Sequence, residues 1–194
     1  EYAKSQKEVM ARTGGEGASG VSAFIVRDGD LGLEYGKAEK KMGWRTSPTR
    51  ELLFKNCKIP TTNMIGNSGE GFKVAMSTLD VFRTTVGGAS LGFARRALDE
   101  AITRSKERHA FGKSISEFQL IQAKIADMAV KIDTMALLIY RSAWTKDKKG
   151  TRVTRESSMA KLYGTEAAQE VIDQAVQIFG GMGVSQDTPL AHIF

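Results

Sequence analysis

The chain has 194 residues, of which 41% are hydrophobic and 26% charged, and this is enough for a globular protein with a substantial core. Its net charge of +6 is compatible with a nucleic acid, an anionic lipid or a phosphorylated ligand, and the total alone favours none of them. The single cysteine, Cys57, excludes an internal disulfide framework, and His109 and His192 have no partner at metal-ligand spacing, which excludes a zinc site. No apolar run reaches transmembrane length.

The first part of the chain is rich in glycine and in short β-prone runs. Residues 20–26 predict a strand that ends at the turn sequence Asp28-Gly29-Asp30, and residues 50–59 predict a further strand that is closed by Pro60. Residues 1–13 are ambiguous. This part is typical of a β-sheet or β-barrel whose earlier strands are missing from the chain.

A long helix is predicted from Gly71 to about Glu107, because apolar residues recur at every third or fourth position without an intervening proline. The predicted apolar stripe consists of Phe72, Ala75, Leu79, Phe82, Val86, Ala89, Phe93, Ala97 and Ala101. Gly87, Gly88 and Gly92 lie inside this helix, where each glycine costs about 1 kcal/mol relative to alanine. They therefore indicate close approach by another helix or by a ligand.

Two further long helices are predicted. The second starts near Ser116, which forms a predicted capping box with Gln119, and it fades in the charged turn at residues 146–150. The third runs from about Thr154 to Phe179 and is predicted to end in a left-handed C-cap at Gly180-Gly181. Three long helices with short connections favour an antiparallel bundle. The predicted fold class is therefore α+β, a partial β-barrel or sheet segment followed by an antiparallel up-down helical bundle.

Two glycine-containing motifs carry the functional information. The first is R-x-x-F-G-K at Arg108 to Lys113, followed by Phe118-Gln119, and the second is Q-x-x-G-G-x-G at Gln177 to Gly183. The chain lacks a Walker loop, a G-x-S-x-G elbow and a G-x-G-x-x-G turn after a strand, which argues against hydrolases and nucleotidases. The two motifs resemble the cofactor-contacting segments of the acyl-CoA dehydrogenase family, and the resemblance extends over residues 20–194.

This resemblance implies an FAD-dependent enzyme of fatty acid metabolism that desaturates an acyl-CoA thioester between its α and β carbons, with hydride transfer to the flavin. It also implies that residues 1–60 are the C-terminal part of a middle β-domain and that residues 61–194 are a C-terminal helical bundle truncated at its end. The implied partners are acyl-CoA, electron-transfer flavoprotein or a similar acceptor, and further copies of the chain in a dimer or homotetramer that shares FAD sites. Neither nucleic acid nor a membrane span is expected, and the expected compartment is the cytoplasm, or the mitochondrial matrix in a eukaryote.

The resemblance also assigns the site residues. Substrate contacts fall on Asp80, Val81, Phe82 and Arg83, and FAD contacts fall on Arg108, Gln119, Gln177, Ile178, Phe179, Gly180 and Gly181. In one branch of the family the catalytic carboxylate occupies the position of Phe82, and phenylalanine accepts no proton. In the commoner branch the base lies downstream of the glycine turn, beyond Phe194. No catalytic base and no metal ligand are therefore expected in this chain, and the 194 residues alone are expected to be inactive.

Each assignment has a structural alternative. Asp80 and Arg83 could form an ordinary ion pair within a helix, Arg108 could be a solvated helix-end arginine, Gln119 could be a capping residue, and residues 177–181 could be a plain C-cap. Two other functions also remain open. One is an acyl-CoA oxidase or another flavoenzyme on the same scaffold, and the other is a non-enzymatic helical module that binds a partner through its basic charge.

Overall fold

The computed structural model describes residues 6–150 and 152–194, and the predictions for residues 1–5 and 151 lie outside this range. The chain forms two compact units, Glu1–Ser77 and Thr78–Phe194. The boundary predicted after residue 60 stays a prediction.

The first unit contains short antiparallel strands. They are β1 (Gln6–Arg12), β2 (Val21–Arg27), β3 (Leu33–Ala38), β4 (Arg50–Phe54) and β5 (Met64–Ile65). Strands β1, β2 and β5 form one sheet in that order, and β3 pairs with β4 in a second. The strand predicted at residues 20–26 is confirmed, whereas the strand predicted at residues 50–59 already ends at Phe54 because Asn56 has a positive φ of 51°. The sheets of the described residues are small and open. The predicted sheet segment of the α+β fold class is confirmed, and no closed barrel is found among these residues.

Long helices dominate the rest of the chain. They are α1 (Gly71–Glu107), α2 (Gln119–Lys149) and α3 (Thr154–Phe179), followed by the short α4 (Leu190–Ile193). Between α1 and α2 lies a small hairpin of β6 (His109–Ala110) and β7 (Lys113–Ser114). The predicted bounds of α1 and α3 are confirmed. The predicted start of α2 near Ser116 is wrong by one short 3-10 turn, which covers Ile115–Glu117.

Both predicted helix caps differ from the observed ones. The capping box joins Ser114 and Glu117, not Ser116 and Gln119, and it caps the 3-10 turn. Phe118 then adopts an extended backbone conformation, so α2 begins one residue later. At the end of α3, Gly180 has φ 64° and ψ −139°, which is not left-handed helical geometry; the left-handed cap instead ends α2 at Gly150, with φ 60° and ψ 3°.

Side-chain contacts show that α2 and α3 run antiparallel. Lys131 Nζ lies 2.8 Å from Glu170 Oε2, and Arg141 Nη2 lies 4.0 Å from Glu156 Oε1, so contact positions descend along α3 as they rise along α2. The hydrogen bond to Glu170 raises the pKa of Lys131 above its ordinary value.

Helix α1 runs parallel to α3. Asp80 bonds to Thr154 at the start of α3, and the guanidinium of Arg104 lies 5.6 Å from the ring centroid of Phe179 at its end. The up-down arrangement of the three helices is therefore confirmed. Its core is built from apolar residues of all three, including Leu91, Ala94, Met128, Met135, Val171 and Ile178.

The buried face of α1 is not the predicted stripe. Within the second unit, the buried positions include Gly87, Leu91, Ala94 and Ser105, while Leu79, Phe82, Val86 and Phe93 of the predicted stripe are exposed. Only Ala97 and Ala101 of that stripe are buried. The helix has two apolar faces, and the face with the smaller side chains contacts the other helices because it permits a closer approach.

Gly87 marks the place where α1 lies nearest to its neighbours. A Cβ atom at this residue would lie 3.1 Å from the carbonyl oxygen of Ala160 and 3.3 Å from Ile139 Cγ1, whereas a Cβ atom at Gly88 would meet nothing within 4 Å. The close approach by another helix that was predicted from the glycines is thus confirmed at Gly87. At Gly88 and Gly92 no other part of the described residues comes within 4 Å of the added Cβ atom.

We expect Gly87→Leu to lower the free energy of unfolding by about 3 kcal/mol, because the added side chain overpacks the helix contact. The matched variant Gly88→Leu should be neutral or stabilising by up to about 1 kcal/mol, since it gains helix propensity without a clash. Urea denaturation followed by circular dichroism measures both. Equal effects of the two variants would show that Gly87 is not a packing contact.

Candidate functional site

One end of the helical unit brings the two sequence motifs together. Because α1 and α3 are parallel and α2 runs in the opposite direction, the end of α1, the start of α2 and the end of α3 lie at the same end of the bundle. The R-x-x-F-G-K motif follows Glu107, and the Q-x-x-G-G turn begins at Gln177. The contact between Arg104 and Phe179 joins α1, just before the first segment, to a residue inside the second.

The R-x-x-F-G-K motif forms the two-residue turn of the β6–β7 hairpin. Phe111 and Gly112 both have positive φ values, 54° and 81°, as a type I′ turn requires. The left-handed conformation is unfavourable for phenylalanine by roughly 1 kcal/mol. The Phe111 side chain is nevertheless 95% exposed, and its ring meets Phe118 edge-on at 6.2 Å. The turn would be more stable with another residue at this position, so we add Phe111 to the candidate site. The residues assigned from the sequence did not include it. The signal was a phenylalanine directly before the glycine of a tight turn.

The three polar side chains assigned to the cofactor are all available. Arg108, Gln119 and Gln177 are exposed, and within residues 6–150 and 152–194 their side chains make no hydrogen bond or ion pair. The backbone of Arg108 is fixed, since its N–H donates to the carbonyl of Arg104 at 3.0 Å and its carbonyl accepts from the N–H of Ile115 at 2.9 Å. These side chains therefore lie on an ordered frame with unused donors.

The Q-x-x-G-G turn has a buried apolar part and an exposed glycine part. Ile178 and Phe179 are buried in the core, whereas Gly180 and Gly181 are exposed, and a Cβ atom at either glycine would meet nothing within 4 Å. At Gly183, by contrast, a Cβ atom would lie 2.5 Å from the carbonyl oxygen of Val176. Packing thus explains Gly183 but not Gly181, where the bare backbone leaves room for a bound molecule.

This end of the bundle fits FAD by its chemistry. A flavin adenine dinucleotide presents a pyrophosphate, which needs N–H donors and positive charge. Gln119 is the first residue of α2, where backbone N–H groups and the positive end of the helix dipole favour an anion, and Arg108 adds a guanidinium with five donors. The open backbone at Gly180 and Gly181 admits close approach of a ligand.

The residues assigned to the substrate lie towards the opposite end of the bundle. The carboxylate of Asp80 is 3% exposed and accepts hydrogen bonds from Arg83 Nη1 at 3.2 Å, from Arg152 Nε at 3.4 Å and from Thr154 Oγ1 at 2.7 Å. Asp80 is therefore fully engaged within the protein and holds Arg83 in place. Val81 and Phe82 beside it are exposed.

The two assigned regions are far apart along the helices of a single chain. The segment of α1 between Asp80 and Arg104 is about 36 Å long, since an α-helix rises about 1.5 Å per residue. Two separate candidate regions therefore lie on one chain, one at each end of the bundle.

Other features of the described residues supply no rival site. A groove of about 750 Å³ between α2 and α3 is lined by Lys124, Lys131, Glu170 and Gln174 among others, and it contains none of the assigned residues. No group of three or more histidine, cysteine or acidic side chains in this part of the chain could hold a metal ion. None of its helices is both long enough and apolar enough to cross a bilayer.

Comparison with known proteins shows which family the chain belongs to. Residues 69–194 match the family model described as acyl-CoA dehydrogenase, C-terminal domain. The chain belongs to the acyl-CoA dehydrogenase family. It is 45% identical over 175 residues to the mitochondrial short-chain specific acyl-CoA dehydrogenase of Rattus norvegicus, covering 90% of this chain and 42% of the relative. It is 42% identical over 187 residues to the cyclohexane-1-carbonyl-CoA dehydrogenase of Geobacter metallireducens, covering 96% of this chain and 49% of the relative.

Solved structures of the acyl-CoA dehydrogenase family confirm the fold. The butyryl-CoA dehydrogenase of Megasphaera elsdenii superposes with a TM-score of 0.92 at 43% sequence identity, over 96% of this chain and 49% of that one. The chain thus spans about half the length of the relatives that it matches.

Proposed function

We propose that the protein is an FAD-dependent acyl-CoA dehydrogenase, which removes one hydrogen from each of the α and β carbons of an acyl-CoA thioester. The observation that carries this proposal is the set of unused donors and bare glycine backbone at one end of a bundle whose sequence belongs to this family. When bound, FAD supplies the acceptor for the β-hydride. The residues of this chain bind the flavin and the acyl-CoA and orient them relative to each other.

Arg108, Gln119, Gln177 and the backbone of Gly180 and Gly181 would bind FAD. Ile178 and Phe179 would act indirectly, because both are buried and fix the position of the turn. Phe111 adds an exposed aromatic surface at the same end, suited to stacking on a flat ring.

At the other end, acyl-CoA would contact Arg83, Val81 and Phe82. Arg83 is the member suited to an anionic group of coenzyme A, since one of its nitrogen atoms is held by Asp80 and its side chain is partly exposed. Asp80 would position Arg83 and would not touch the thioester, which refines the sequence-based assignment.

The distance of about 36 Å between the two regions supports a site shared between chains, because the flavin and the thioester must meet for the reaction. The FAD residues of one chain would complete a site whose substrate contacts belong to another, in a dimer or a homotetramer. Phe82 offers no carboxylate, so the base is proposed to lie beyond Phe194, and these 194 residues alone are proposed to be inactive. Electron-transfer flavoprotein or a similar acceptor would reoxidise the flavin, in the cytoplasm or in the mitochondrial matrix.

An anaerobic titration of the intact protein with a panel of acyl-CoAs tests the proposal. The flavin absorbance should bleach, and the most effective acyl group would define the substrate class. Bound flavin that no acyl-CoA reduces would contradict the dehydrogenase proposal, and failure to retain any flavin would contradict the assignment of the cofactor residues. Rapid reoxidation of the bleached enzyme by oxygen would instead identify an acyl-CoA oxidase.

A further inference from the structure

Arg104 lies at the end of the bundle that carries the two motifs, although neither motif includes it. Its guanidinium carbon lies 5.6 Å from the ring centroid of Phe179, the residue directly before Gly180 of the glycine turn. Phe179 is 7% exposed and belongs to the core, so this stacking contact holds the guanidinium in place beside the turn. Arg104 is therefore fixed next to the exposed backbone of Gly180 and Gly181.

The guanidinium of Arg104 has no hydrogen-bond acceptor within residues 6–150 and 152–194. Its Nε atom is buried without a hydrogen bond, a state that no other side-chain nitrogen or oxygen atom of these residues shares. The rest of the guanidinium can be reached by a bound molecule, because the residue is partly exposed. A buried donor without an acceptor lowers the stability of a protein, and buried polar groups normally have a partner. The unused donors of Arg104 therefore indicate an acceptor that belongs to a bound molecule.

A second unpaired arginine, Arg108, lies beside Arg104. The N–H of Arg108 donates to the carbonyl of Arg104 at 3.0 Å, so the helical hydrogen-bond pattern continues to Arg108 and the two side chains occupy neighbouring positions on one face. Like charges at this spacing destabilise a helix. In the described part of the chain, the arginines that form ion pairs are Arg83, Arg96, Arg141 and Arg152. No carboxylate there neutralises Arg104 or Arg108, and an anion bound between them would remove the repulsion.

We propose that Arg104 is a second arginine of the cofactor site and that it binds the pyrophosphate of FAD together with Arg108. This step rests on the proposed function, because it concerns the same site. A pyrophosphate has two charged phosphate groups, and two neighbouring guanidinium groups can each donate to one of them. The ring of Phe179 fixes Arg104 before the ligand arrives, so Arg104 loses less side-chain freedom on binding than the exposed Arg108 does.

Binding of ADP to the flavin-free intact protein tests the proposal, because ADP carries the adenosine and the pyrophosphate of FAD but no flavin. Isothermal titration calorimetry measures the affinity at several salt concentrations. Arg104→Gln should weaken ADP binding by about tenfold at low salt, which is the loss of one charge-assisted contact. The decline of ADP affinity with rising salt should also become shallower, because one ionic contact fewer is left for the salt to screen.

Arg95→Gln is the matched control, since it removes the same charge from the same helix. Arg95 is exposed and precedes Arg104 by nine residues, which places it on the opposite side of α1 because an α-helix has 3.6 residues per turn. This variant should leave both the ADP affinity and its salt dependence unchanged. Equal losses in Arg95→Gln and Arg104→Gln would show that only the net charge of the protein matters, which would overturn the proposal.

The salt dependence separates ligand binding by Arg104 from a role in packing alone. If Arg104 only packed against Phe179, Arg104→Gln would lower the ADP affinity by the same factor at every salt concentration. Arg104→Lys guards against a misfolded variant: it keeps the charge, so it should keep most of the salt dependence, but it should lose part of the affinity because an ammonium group lacks the planar fork of donors.

Three results would overturn the assignment of Arg104 to the cofactor site: a loss in Arg104→Gln that is independent of salt, an unchanged ADP affinity in this variant, or a parent protein that binds no ADP. The anaerobic acyl-CoA titration of the parent protein does not depend on these outcomes. Bleaching of its flavin together with an unchanged ADP affinity in Arg104→Gln would remove only Arg104 from the site and would leave the proposed function standing.

Discussion

Replacement of Asp80 by alanine is expected to lower the free energy of unfolding by about 3 kcal/mol. The buried carboxylate accepts bonds from Arg83, Arg152 and Thr154, and it joins α1 to the start of α3. Its removal leaves the partly buried Arg83 without this acceptor, breaks the bond that joins α1 to the exposed Thr154, and leaves a cavity between the helices. Arg152 contributes less to the loss because its side chain is mostly exposed. Urea denaturation monitored by circular dichroism measures the change.

Asp99→Ala is the control for this experiment, because Asp99 lies on the same helix but is exposed. Its effect should stay within about 0.5 kcal/mol. If Asp80→Ala were as mild as Asp99→Ala while acyl-CoA binding was lost, Asp80 would be a direct substrate contact and not a positioning residue.

Replacement of Gly181 by valine is expected to weaken FAD binding by about ten- to a hundredfold, which corresponds to roughly 1.4–3 kcal/mol. The free energy of unfolding of the flavin-free protein should change by less than about 0.5 kcal/mol, because a Cβ atom at this residue meets nothing within 4 Å and its φ is not positive. The added side chain would instead occupy the space proposed for the ligand. Release of flavin fluorescence on dilution measures the binding.

Gly183→Ala, in contrast to Gly181→Val, should lower the stability of the fold. Its Cβ atom would lie 2.5 Å from the backbone carbonyl of Val176, so the chain must shift and unfolding should become easier by about 2 kcal/mol. Unchanged flavin affinity in Gly181→Val would show that the open backbone is not part of the cofactor site.

The helix bounds of α1 and α3 were predictable because local signals determine them. Helix α1 begins at Gly71, and Gly180 directly follows the last residue of α3. Each of these two helices is a long periodic stretch without proline, and its residues favour helix. The start of α2 was harder to predict, since Ser114 and Ser116 both precede a residue that could complete a capping box. Only the extended conformation of Phe118 decides between them.

The buried face of α1 illustrates what periodicity alone leaves open. Phe82 and Phe93 recur at helical spacing, as do Leu91 and Ala94, and both sets are apolar. Which set faces the core depends on how closely the neighbouring helices approach, and that is a property of α2 and α3. The open sheets of the first unit depend similarly on strand pairing between distant residues.

The positions of the candidate site residues followed from the two motifs, but their individual contributions did not. The apolar periodicity of α3 extends to Ile178, but the motif did not indicate that Phe179 is buried as well while Gly180 and Gly181 are exposed. Nor did the sequence indicate that Arg152 and Thr154 engage Asp80, because they lie more than seventy residues further along the chain. The roles assigned to all of these residues remain predictions.

The separation of the two candidate regions along α1 has a genetic consequence under the proposed function. A chain damaged at Arg108 keeps its own Arg83, and a chain damaged at Arg83 keeps its own Arg108. When the two defective chains pair, one of the two shared sites receives both intact residues and the other receives neither. Two inactive alleles would therefore complement each other in one cell and yield at most one working site per mixed pair, whereas both defects on the same allele would not be rescued by pairing with itself.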